Sequence, residues 1–219
     1  MRTISIALAV ARKDLTSEWR TRELVPALAQ FVVLALVIAS FGFQIDSHNA
    51  VAIAPGVLWM ALVFAGLVAF GRAFAAEREQ ASLEAMLLTA APPAAIFAGK
   101  ALAAALLLAI CEAVLLPALA LFFGVRLSFD VVSAVLLATV GMAVLGCLFA
   151  AMVARVRARE LLLPVLTLPL WIPFVVVGGQ AVQAAMGGSV TGQATGLLLD
   201  LDILFVVLTS LAARFVLDD

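Results

Sequence analysis

The chain has 219 residues, of which 66% are apolar and only 12% charged, with a mean hydropathy of +1.23. A soluble domain carries about 25% charged residues, so this composition excludes a chain whose whole surface meets water. The net charge of −1 and the pI of ≈ 5.8 leave no basic footprint for nucleic acid.

Taken in chain order, the first element is a predicted amphipathic helix over residues 3–22. Ile4, Leu8, Ala11, Leu15 and Trp19 recur at helical spacing, with Arg12, Lys13, Ser17 and Arg20 mostly elsewhere on the wheel. Such a helix lies in the membrane interface with its basic side toward anionic headgroups. It is not expected to be a cleaved signal, because Arg12-Lys13-Asp14 follows the short apolar run with no small-residue cleavage site.

Six apolar stretches follow, over residues 24–43, 51–70, 96–123, 131–154, 161–183 and 197–215. Each reaches the roughly 20 residues needed to cross a hydrocarbon core about 30 Å thick. Backbone polar groups in lipid must be satisfied internally, so these spans are helices. The expected fold is all-α: one polytopic transmembrane domain over residues 1–219. Twelve of the 13 Lys and Arg residues fall on one side of this arrangement, leaving Arg126 on the other. Positive charge marks the cytoplasmic side, which places both termini there.

Between the second and third spans, residues 77–89 favour helix throughout. Leu83, Met86, Leu87 and Leu88 give it an apolar side, Glu77, Glu79 and Glu84 an acidic one, and Pro92-Pro93 stops it. A short helix held beneath the membrane is placed to receive a push from a cytoplasmic protein, or to pack against lipid. On the outer side, residues 46–49 read as a turn and the Gly, Ser and Thr-rich residues 187–196 as a loop.

No catalytic set is present, and there is no phosphate-binding Gly-rich loop of the Gly-Lys-Ser/Thr type. Cys111 and Cys147 lack metal or redox spacing, and the lone His48 reads as a polar turn residue. Glu112, in the middle of the third span, is the unusual side chain, since an uncompensated acid there costs about 2.5–3.5 kcal/mol. It is expected to be neutral, to be hydrogen-bonded or to face a polar cavity. Asp200 and Asp202 are expected near the outer end of the sixth span, in reach of water. Pro164, Pro169 and Pro173 make the fifth span a candidate for a kinked or partly unwound hinge. Small residues spaced by four, Ala101/Ala105/Ala109 and Gly146/Ala150/Ala154, permit close helix contacts.

Three stretches carry a family resemblance: Ile-Ala-Pro-Gly-Val-Leu-Trp at 53–59, Ala-Ser-Leu-Glu-Ala-Met-Leu-Leu at 81–88 followed by Pro92-Pro93 and Lys100, and Leu-Leu-Pro-Val-Leu-Thr-Leu-Pro-Leu-Trp-Ile-Pro at 162–173. In this order they resemble the heme exporter protein B (CcmB) family, with departures at Gln80 and Ala81. The resemblance implies a six-helix ABC-2-type permease of the bacterial inner membrane, in a complex for c-type cytochrome biogenesis. It implies a non-catalytic subunit working with a cytoplasmic ATPase, a dimer that holds the ATP. Haem-handling membrane subunits, a periplasmic haem chaperone and a second copy of the chain are the other implied partners. Haem is the implied cargo, moved directly or released on its chaperone, and no cofactor or metal is resident. Residues 77–88 then resemble the coupling helix that docks on the ATPase, with Ser82, Leu83 and Glu84 at its centre and Glu77 and Leu87 beside them. The residues alone also fit an ion-coupled carrier acting through Glu112, or a membrane scaffold.

Overall fold

The computed structural model describes residues 2–43, 49–73, 92–154, 156, 158–189 and 191–218. Seven helices are formed among them, and no strand. They are α1 (Arg2–Thr21), α2 (Leu24–Gly42), α3 (Ala50–Ala73), α4 (Pro93–Phe123), α5 (Phe129–Val153), α6 (Arg159–Met186) and α7 (Gly192–Asp218). The last six are long and apolar enough to cross a membrane, and α1 is the expected amphipathic helix. An even number of spans puts α1 and the end of α7 on one side, called here the terminal face.

Local chemistry sets the helix ends. Glu18 Oε1 accepts from the backbone N–H of Leu24 at 2.7 Å and of Val25 at 3.0 Å, capping the start of α2. An acid at this place satisfies orphan donors and complements the helix dipole. The Ser128 hydroxyl accepts from Val131 N–H at 3.3 Å to cap α5. Gly124 ends α4 in the left-handed region, with φ of 65°. Pro93 opens α4, where its missing N–H costs nothing and its fixed φ suits a helix.

α5 is the central helix: 67% of its span is buried, against 17% for α7. It contacts α3, α4, α6 and α7, whereas α1 docks along α4 and α2 packs on α3 and α4. The outward residues of the spans are apolar, among them Phe41, Phe64, Ile172 and Ile203. Lipid is the solvent that suits such a surface.

Close approach in the core is bought by glycine. Without a hydrophobic drive between helices in lipid, association rests on fitted contact and on hydrogen bonds. Phe70 of α3 lies over Gly146 of α5, where a Cβ would come within 2.6 Å of its ring. Trp171 of α6 lies over Gly66 of α3, Trp59 of α3 over Gly178 of α6, and Phe174 of α6 over Gly141 of α5. Trp171 Nε1–H also donates to the Met142 carbonyl at 3.2 Å, and its ring meets Phe70 edge-on at 5.7 Å. α3, α5 and α6 are thus tied into one dry knot.

α6 runs as a single helix through Pro164, Pro169 and Pro173, so the expected partial unwinding is not seen. Packed spans tolerate proline because neighbouring groups and small local adjustments re-satisfy the freed carbonyls.

Candidate functional site

The predicted docking residues Glu77, Ser82, Leu83, Glu84 and Leu87 lie outside the described residues, as does His48. What the structure defines is the frame on either side of residues 74–91. Both flanks of that segment are bonded to α1 or to the turn that follows it. On the α3 side, Arg72 Nη2 pairs with Glu23 at 2.5 Å, an ion pair open to solvent. On the α4 side, Lys100 Nζ lies 3.2 Å from Asp14 of α1, with the lysine side chain 1% exposed.

The lysine is buried because α1 crosses α4 at Gly99. A Cβ there would lie 2.5 Å from the Ala7 carbonyl oxygen and 2.7 Å from Val10 Cβ. Glycine therefore sets the closeness of the crossing, and the next residue supplies the charge that fixes its register. Val10 and Ala11 are the residues of α1 that this contact buries, while Ile4, Leu8 and Trp19 of the predicted stripe remain exposed. α4 has 31 residues, about 46 Å at 1.5 Å each. That exceeds a core about 30 Å thick, so its end turns emerge where a charged pair is tolerable. Sequence reasoning missed this clamp because Asp14 and Lys100 are 86 positions apart; only the Gly99-Lys100 pair at a span start hinted at it.

Two acids lie inside the bundle. Glu112 of α4 accepts a hydrogen bond from the Thr139 hydroxyl of α5. Its Oε2 is buried with no hydrogen-bond partner. The expectation of a hydrogen-bonded acid is met by a residue of the neighbouring helix. Asp202 corrects a second expectation: it is 7% exposed, with Oδ1 buried against Gly141 and unpartnered. Asp200 is exposed. Residues two apart on a helix differ by about 200° in direction, so one acid must face inward when the other faces out. That spacing was the available signal. Thr139 and Gly141 are also two apart, so the two acids meet opposite sides of α5.

A bundle of six apolar helices around α5, with an interfacial helix clamped beneath it, defines a multi-pass membrane protein. A family model described as CcmB protein matches residues 5–218, and the chain belongs to that family. It is 31% identical over 161 residues to the heme exporter protein B of Pseudomonas aeruginosa, covering 72% of each chain. With the heme exporter protein B of Paracoccus denitrificans it shares 31% identity over 169 residues, or 74% of this chain and 75% of the other. The Haemophilus influenzae heme exporter protein B is 28% identical over 182 residues, 82% of both chains.

Proposed function

We propose that this chain is the transmembrane subunit of an ATP-driven, ABC-type complex in c-type cytochrome biogenesis. It works in the bacterial inner membrane with both termini cytoplasmic, and couples hydrolysis by a partner ATPase to haem export or to release of a haem-loaded chaperone. The chain is non-catalytic: it receives work at residues 77–89 and passes it to the helices. Haem is cargo and ATP stays on the partner, a dimer, with haem-handling membrane subunits, a periplasmic chaperone and a second copy of this chain completing the assembly.

The observation that carries this reading is the family match over residues 5–218, since relatives named heme exporter protein B align over most of their length. The clamp adds a mechanical argument. A push on a segment between α3 and α4 moves the bundle only if its two flanks are held, and Arg72–Glu23 and Lys100–Asp14 hold them. The complex is to be purified with its ATPase, with and without Glu84→Arg. Loss of turnover or of ATPase binding is expected; intact assembly and turnover would remove Glu84 from the docking role.

An ion-coupled carrier is the second reading, favoured by the unpartnered Oε2 of Glu112. Gradient-driven uptake by the chain alone in liposomes would support it, and absence of uptake would count against it. A pure scaffold is opposed if Glu112→Gln stops cytochrome c maturation while the complex still assembles.

A further inference from the structure

The contact between α1 and α4 leaves a groove of ≈ 410 Å³ on the outer side of the bundle. Its walls are apolar, with Leu8, Leu15 and Trp19 from α1 and Leu102 and Leu106 from α4, and Arg12 lines it as its one charged residue. We propose that this groove binds an anionic phospholipid of the leaflet on the terminal face, its headgroup at Arg12 and an acyl chain along Leu102 and Leu106.

Charge argues for an anion. The residues three and four positions from Arg12 are Leu8, Ala9, Leu15 and Thr16, none of them acidic. The nearby acids are engaged: Asp14 with Lys100 and Lys13, and Glu18 with the start of α2. Among the described residues no carboxylate pairs with Arg12. A guanidinium in this place offers a planar donor fork suited to a phosphate.

Depth argues for a lipid. Leu102 and Leu106 lie further along α4 than Lys100, hence deeper in the membrane, while Arg12 lies on the interfacial helix. The groove carries its one charge on the α1 side and is wholly apolar along Leu102 and Leu106, as suits a phospholipid's headgroup and chain. Trp19 is 75% exposed, and an indole at headgroup level is favourable where in water it would be costly.

The test reads Trp19 fluorescence in the full chain reconstituted into phosphatidylcholine vesicles, with the Trp19→Phe protein as the blank for Trp59 and Trp171. A minor fraction of brominated phosphatidylglycerol or of brominated phosphatidylcholine is added as quencher. The anionic quencher is expected to act at about fivefold lower mole fraction, the preference for one cation near an anionic surface. Arg12→Gln should abolish that preference, and Arg20→Gln, whose residue does not line the groove, should keep it. Equal quenching by the two lipids would overturn the proposal. So would an equal loss with Arg20→Gln, which would mean diffuse surface charge and no site. Folding of each variant is checked by its total quenching at saturating brominated lipid, which a correctly inserted chain retains. Where Arg12→Gln fails that check, Arg12→Lys decides, since a site built on this charge must still prefer the anionic lipid.

Discussion

Two regions near the terminal face hold their helices together by different means. The knot of α3, α5 and α6 uses shape, with Phe70 on Gly146 and Trp171 on Gly66, and adds one hydrogen bond from Trp171 to the α5 backbone but no charge. The collar that α1 and the turn after it make with α2, α3 and α4 adds charge to the close Gly99 contact, in Lys100–Asp14, Arg72–Glu23 and the Glu18 cap. Rings seated on glycine fit in one arrangement, because neither backbone can approach differently without a clash. Ion pairs at an interface can exchange with water and re-form. Under the proposed function, the knot is the fixed part and the collar the part through which work would reach the bundle.

The contrast can be broken at either end. Gly146→Leu puts a branched side chain into the Phe70 ring and should cost about 3 kcal/mol or more, seen as loss of monodisperse protein on heating in detergent. In the collar the two partners of the buried pair are not equivalent. Asp14→Asn removes the carboxylate 3.2 Å from the Lys100 ammonium and should cost about 2 kcal/mol. Lys100→Met, which removes the buried charge itself, should cost visibly less in the same thermal scan. Within the bundle, Thr139→Val removes the donor to Glu112 and should cost about 1 kcal/mol. Glu112→Gln keeps an acceptor for Thr139 and should be milder. At the small end, Glu23→Gln breaks an exposed pair and should change stability by no more than about 0.5 kcal/mol. Equal costs for Asp14→Asn and Glu23→Gln would erase the distinction between a structural clamp and a surface pair.

Length and hydropathy made the spans legible, because lipid imposes one rule on every crossing segment: the sequence-based span 131–154 and the observed α5, Phe129–Val153, differ by two residues at most. Lys and Arg asymmetry points to a cytoplasmic side for the termini. What composition hid was pairing. Gly66, Gly141, Gly146 and Gly178 look like scattered small residues until the ring above each is known. Nothing local to Asp14 points to Lys100. Asp202 was misread because its place near a helix end suggested water, while its angular offset from Asp200 decided its direction.

If α1, held on α4, transmits work from residues 77–89 to the spans, displacing α1 must uncouple the two. Gly99→Leu tests it most directly, because it forces α1 away from α4 through the Ala7 carbonyl and alters no residue between 74 and 91. In the proposed complex, purified with its ATPase and haem chaperone, the ATPase is expected to stay bound while chaperone-dependent ATP turnover falls about tenfold, a change of about 1.4 kcal/mol in the barrier. Full turnover with α1 displaced, shown by loss of a cross-link between Cys substituted at Leu15 and Leu102, which line one groove between α1 and α4, would count against that transmission.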